Sequence, residues 1–242
     1  MKVVVAGKGG CGKSTVTALL AKELASRGRE VLVVDSDESN FGLHSLLGME
    51  RGSDFMEYFG GKKVLFEKVK DLRSSWPIDE LPEEYVSRKG RIALIAMGKI
   101  YDYGEGCSCP INALSSRFLE VVELKEDGFL IADTDAGIEH LGRGIEKGCD
   151  LILVVVDPSS ESIRLAGKVT EMGESIGKSV YFVLNKVDER SKAIILDSLT
   201  ASRVVAVIPV DAGVFESGLK GEELEGVQRG IADLAALLEG GG

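Results

Sequence analysis

Gly7-Lys8-Gly9-Gly10-Cys11-Gly12-Lys13-Ser14 is the stretch whose reading decides the fold. It fits G-x-x-x-x-G-K-[ST]. It also sits where that pattern has a mechanism, behind the apolar run Val3-Val4-Val5-Ala6 and ahead of a helix-like segment. Glycines let successive backbone N–H groups turn toward phosphate oxygens. The helix opening behind them adds the positive end of its dipole. In that chemistry Gly7, Gly9, Gly10, Cys11 and Gly12 form the cradle and Lys13 reaches the β- and γ-phosphates. The Ser14 hydroxyl ligates Mg²⁺, and Thr15 reaches the α-phosphate. The bland alternative is a glycine-rich turn that holds nothing; motif and context together weigh against it.

Working outward, apolar β-branched runs recur at 3–6, 31–34, 92–96, 129–132, 151–156, 180–184 and 204–208. Their near-continuous apolarity suits strands buried on both faces. Helix-like segments lie between most of them, at 14–27, 112–123, 159–176, 191–199 and 222–238. The alternation predicts an α/β P-loop NTPase, with a mostly parallel central sheet flanked by helices on both faces. We expect one domain over 1–242. Within it, 50–90 reads as an excursion of helices and loops, charged and punctuated by Trp76-Pro77 and Leu81-Pro82.

The 242 residues carry a formal net charge of −10 and no basic run, which argues against nucleic acid as a partner. No apolar run approaches the length of a membrane span, so no membrane association is expected. MKVVVAG is too short for a signal h-region, and the expected location is cytoplasmic. Four cysteines do not make a disulfide framework in such a chain. Cys107 and Cys109 stand one residue apart, a pattern that points to metal or redox chemistry. Thiolates are soft donors for Zn²⁺, Ni²⁺ or Fe–S clusters. One C-x-C supplies at most two ligands, so a closed four-thiolate site needs a second copy across a two-fold axis. On spacing alone, a pair of solvent-facing loop thiols is an equal alternative. Cys11 reads as a tolerated small residue, and Cys149 as core.

Strand-end carboxylates come next. The second strand ends Val33-Val34-Asp35-Ser36-Asp37, and ligands of such sheets sit at the carboxyl ends of strands. Asp35 is therefore placed near the metal, with a turn-capping role as its alternative. Ala132-Asp133 closes another apolar strand, the position from which an aspartate acts on Mg²⁺ through water. Asn185-Lys186-Val187-Asp188 contains N-K-x-D, a guanine-reading pattern. A lone His140 is more often a surface or packed residue than a ligand.

With Lys8, the loop K-G-G-x-G-K-[ST] resembles the deviant Walker A loop of the MinD, nitrogenase-iron-protein and ParA class of ATPases. The resemblance implies a homodimer in which Lys8 crosses to the partner's nucleotide and neutralises phosphate charge in trans. It implies that Asp37 orients or deprotonates the attacking water, although Glu38 stands where the class often has Pro. It makes 133–137 a second switch, with Gly137 offering its N–H to the γ-phosphate. Asn185 and Lys186 would lie at the base, beside Pro209, Val210 and Asp211; the loop and switches of that class favour ATP, with GTP left open.

GKGGCGKST, MGKI, CSCP and AGIEHLGRG together are similar to the CooC-type nickel-insertion ATPases. That family implies one Ni²⁺ or Zn²⁺ shared by Cys107 and Cys109 of two subunits. It also implies apo carbon monoxide dehydrogenase, or acetyl-CoA synthase, as the client. The rivals are an Fe–S ATPase resembling the nitrogenase iron protein, a MinD- or ParA-like switch, and a GTPase.

Overall fold

The computed structural model describes residues 1–101, 107–136, 144–226 and 228–240. Its frame is an eight-stranded sheet in the order β10-β9-β8-β1-β7-β2-β5-β4. The strands are β1 (Lys2–Gly7), β2 (Val31–Asp35), β4 (Val86–Lys89), β5 (Ile92–Ala96), β7 (Phe129–Asp133), β8 (Leu151–Val156), β9 (Ser179–Val187) and β10 (Val204–Pro209). All ladders are parallel except β4 with β5. A two-stranded ladder pairs β3 (Trp76–Pro77) with β6 (Val122–Glu123).

The pleat sends alternate side chains to opposite faces. Val4 and Ala6 of β1 join the core on one face; Val3 and Val5 join the core on the other. The first face is covered by α4 (Cys109–Val121), α5 (Ser160–Ser175) and the 55–81 segment, with the Phe55 ring tilted against Trp76 and edge-on to Phe118. The second is covered by α1 (Lys13–Ser26), α2 (Leu43–Leu46) and α8 (Arg229–Gly240). Burial on both faces explains why the strands read as continuous apolar runs.

The chain passes from β1 through α1 to β2 on one side of β7, while β8 lies on the other side of β1. That reversal is where open α/β sheets hold ligands. No described helix is long and apolar enough to cross a membrane.

Three expectations need correction. The segment 222–238 is not one helix. α7 (Ala212–Lys220) ends at left-handed Gly221, and α8 begins only at Arg229. Between them, Leu224 is buried and donates its N–H to Leu46 O at 3.0 Å, so local helicity yields to a tertiary contact. The 50–90 excursion is not only helix and loop, because it ends in β4, the antiparallel edge strand. Short α3 (Lys62–Lys68) lies inside it. The helix expected at 112–123 starts earlier, at Cys109, with Pro110 in its first turn where a missing N–H costs nothing.

Candidate functional site

β1 delivers the glycine loop to the carboxyl edge of the sheet, next to the end of β7. Gly12 caps α1 with φ 99°, a left-handed conformation, and an added Cβ there would sit 2.2 Å from Asn185 Nδ2. Only glycine fits both demands. No side chain caps the N-terminus of α1, and its first turn holds no acidic residue. Its amides and dipole thus face the loop uncompensated, as an anion site requires.

The loop is also braced from behind. Asn185 Nδ2 donates to Cys11 O at 2.8 Å, and Lys186 Nζ to Gly10 O at 2.8 Å. Lys13 is nearly buried, with Nζ 3.3 Å from Lys8 O. Cys11 is fully buried, and burial pushes its thiol up to about 11. It packs as a small residue rather than a nucleophile.

β2 and β7 end side by side, with Asp35 in register with Asp133. Ser14 Oγ donates to Asp133 Oδ2 at 2.6 Å, and Asn40 Nδ2 donates to Ser14 Oγ at 2.6 Å. Asp35 Oδ1 and Asp133 Oδ1 are buried and have no hydrogen-bond partner among the described residues. Burial pushes Asp133 up to about 7, helped by the neighbouring Asp35 carboxylate. Burial likewise lifts Asp35 to about 6, against the pull of Lys99. Two desolvated carboxylates with unfilled lone pairs beside a serine hydroxyl match the oxygen donor set of a hard divalent cation. The residues present therefore fit Mg²⁺.

Asp37 is turned into its own loop. Its Oδ1 accepts from Ser39 N (2.9 Å), Ser39 Oγ (2.7 Å) and Asn40 N (3.1 Å). Lys8 is tied within its own chain, 3.2 Å from Asp157 Oδ2 and 3.1 Å from Ser159 Oγ. Against the cost of burial, Ser159, Ser162 and Lys8 hold Asp157 below the usual carboxylate range. Residues 137–143, which hold Gly137, His140 and most of the AGIEHLGRG stretch, lie outside the described residues.

A pocket of about 300 Å³ opens beside the loop, lined by Thr15, Asn185, Lys186, Pro209, Val210 and Asp211 together with the apolar side chains of α7. Its size and largely apolar wall suit a purine. Asp188 is not among the lining residues. Its carboxylate accepts from Ser191 N at 2.7 Å and caps α6 (Glu189–Ser198), so the guanine-reading member of N-K-x-D is committed elsewhere.

The thiol pair lies at the start of α4, where Cys107 is exposed and Cys109 half-buried. A hydrogen bond from the Cys109 thiol, then the Cys109 N–H, lower the Cys107 pKa, and Lys62 adds in the same direction. This favours the thiolate, the form that binds metal. Among the described residues no group of three or more His, Cys, Asp or Glu side chains could hold an ion. Among the described residues the pair therefore supplies two of the four ligands of a closed site.

Sequence reading missed Asn40, Lys99, Asp157 and Ser159. Lys99 was legible only as part of the MGKI string. Its partners on other strand ends are a tertiary fact with no local signature.

Residues 2–224 match the CobQ/CobB/MinD/ParA nucleotide binding domain. The chain is 48% identical over 247 residues to an uncharacterised ATP-binding protein of Methanocaldococcus jannaschii, covering 98% of this chain and 99% of that one. It is 30% identical over 255 residues to the carbon monoxide dehydrogenase accessory protein CooC of Rhodospirillum rubrum, covering 99% of this chain and 97% of the relative. The septum site-determining protein MinD of Pyrococcus horikoshii, solved with Mg-ADP, superposes with a TM-score of 0.70 at 20% identity, covering 98% of this chain and 94% of that one. The chain belongs to the CobQ/CobB/MinD/ParA nucleotide-binding family, and it is an ATP-binding ATPase of that family.

Proposed function

We propose that this protein is an Mg²⁺-dependent ATPase that works as a dimeric metallochaperone, loading nickel into carbon monoxide dehydrogenase or acetyl-CoA synthase. The observation that carries the metal half is the Cys107–Cys109 pair at the head of α4, with Cys107 exposed and poised toward thiolate and, among the described residues, no third histidine, cysteine or carboxylate ligand beside it. Two copies meeting at this face complete a four-sulfur site for Ni²⁺, or Zn²⁺ in its place. The 30% identity to a carbon monoxide dehydrogenase accessory protein over nearly the whole chain supports the client.

The nucleotide half follows from the loop. Backbone N–H groups of 9–14 and the start of α1 bind the phosphates, and Lys13 neutralises their charge. Asn185, Lys186, Pro209, Val210 and Asp211 hold the purine. Ser14, Asp35 and Asp133 would hold Mg²⁺, which when bound supplies charge neutralisation on the phosphoryl oxygens. Asp37, once released from its Asx turn, orients the attacking water. Lys8, once released from Asp157, approaches the phosphates of the partner. Nucleotide and metal are then coupled only if the metal binds the nucleotide states unequally.

Family membership also favours a second reading, a MinD- or ParA-like switch without cargo. Equilibrium Ni²⁺ titration with ADP, with ATP and without nucleotide separates the two. The metallochaperone reading expects one Ni²⁺ per two chains, an affinity that depends on nucleotide, and loss of binding in Cys107→Ala. Absence of stoichiometric Ni²⁺ or Zn²⁺ binding, together with sedimentation on liposomes or DNA, supports the switch instead.

A further inference from the structure

Lys99 is fully buried, yet nothing in the phosphate chemistry above uses it. A lysine ammonium has three donors and no acceptor. All three are met from the nucleotide side: Asp35 Oδ2 at 2.7 Å, Asp37 O and Asn40 O. Backbone bonds run alongside. Met97 N donates to Asp35 O at 2.9 Å, and Ile100 N to Glu38 O at 3.2 Å. Lys99 N donates to Asp54 Oδ2 at 3.2 Å. If the loop 37–40 moves without Lys99, a desolvated N–H⁺ loses its acceptors, which is the costly arrangement for a buried charge. The loop and segment 97–100 therefore move together.

The same segment passes close to the first turn of α4. Gly98 has no Cβ where one would lie 2.8 Å from Met56 Sδ and 3.2 Å from Ile111 Cγ1. Ile111 is fully buried in the first turn of α4, two residues beyond Cys109. A line of near neighbours thus runs from Asp35, Asp37 and Asn40 through Lys99 and the adjoining Gly98 to Ile111, in the helix that starts at Cys109.

We infer that Lys99 is a positioning residue, the joint through which the nucleotide-facing loop 37–40 sets the placement of Cys107 and Cys109. It is the regulatory arm of the proposed metal site and rests on that reading for its purpose, though not for its test. A merely structural lysine would affect stability and leave the thiols indifferent to nucleotide.

The test is the rate of Cys107 alkylation by iodoacetamide, read by peptide mass spectrometry, with and without saturating Mg-AMPPNP. In the wild-type chain the nucleotide should change that rate about fivefold or more, the lower range of allosteric couplings. Lys99→Met, still binding the nucleotide, should reduce the change to under about 1.5-fold, well below that range. Should Lys99→Met fail to fold, Ile111→Ala cuts the joint on its far side and leaves every polar contact of Lys99 in place; it should reduce the change in the same way. A wild-type rate that ignores nucleotide, or variants that keep the full response, overturns the joint. Thiols that answer to nucleotide in a protein that binds neither Ni²⁺ nor Zn²⁺ would instead fault the metal reading and leave the joint standing.

Discussion

The phosphate corner and the thiol corner of this molecule are built on opposite plans. The first has its glycine loop, serine and carboxylates assembled within one chain and, in the proposed dimer, takes only Lys8 from the partner. Its carboxylates are buried, its loop is braced by Asn185 and Lys186, and its donors already converge. The second is partly exposed and holds two sulfurs where a closed site takes four. A pre-organised site reports on one ligand; an unfinished one reports on who else is present. In the proposed function, occupancy of the first biases completion of the second.

The contrast can be broken most heavily at the phosphate corner. Lys13→Ala removes the one buried cation of the loop, and ATP turnover should fall by ~10²-fold or more in a steady-state phosphate-release assay. Retained turnover would remove Lys13 from the site.

At the unfinished corner, Cys107→Ala should eliminate stoichiometric Ni²⁺ binding. Because Cys107 is exposed, stability should stay within about 0.5 kcal/mol of wild type by urea unfolding. Loss of fold with loss of metal would mean that the pair is structural.

A smaller effect sits between the corners. Asp157→Ala frees Lys8 from its own chain, where the pair is worth up to about 1 kcal/mol. If Lys8 must reach a partner, ATP-dependent dimerisation should tighten by roughly fivefold in Asp157→Ala. Sedimentation equilibrium reads it, and Lys8→Ala should weaken it. Weaker association of Asp157→Ala would make the Lys8–Asp157 contact part of the active form.

A further effect is on pH dependence. Burial holds Asp133 at about 7 and Asp35 at about 6. The unfolded carboxyls titrate near about 4, so the folded chain binds these protons more tightly. Their contribution is fully present below the unfolded value and is lost as pH rises through about 7. Without Mg²⁺, the melting temperature should therefore drop between pH 5.5 and 8, and Asp133→Asn should flatten that drop. An unchanged slope in Asp133→Asn would show that Asp133 ionises normally.

Legibility in the sequence follows the same division. Gly7–Ser14 and the apolar runs announced the sheet, because phosphate cradles and doubly buried strands leave local patterns. Asp35 and Asp133 were readable as strand ends. The break at Gly221 and the docking of Leu224 on Leu46 were not, since 222–238 has helical spacing that a tertiary contact overrides. β4 hid in a charged stretch because an edge strand needs only one buried face. Asp157 and Lys99 were invisible as functional residues because their partners, Lys8 and Asp35, come from distant parts of the chain. Cys107 and Cys109 were visible as a pair, but spacing cannot say what completes them.

The most direct measurement is native mass spectrometry of the chain with Ni²⁺, in the presence and absence of Mg-ATP. The account predicts a dimer carrying a single nickel, its occupancy changing when nucleotide is added. A monomer under every condition, or nickel held equally well by the Cys107→Ala chain, would contradict it.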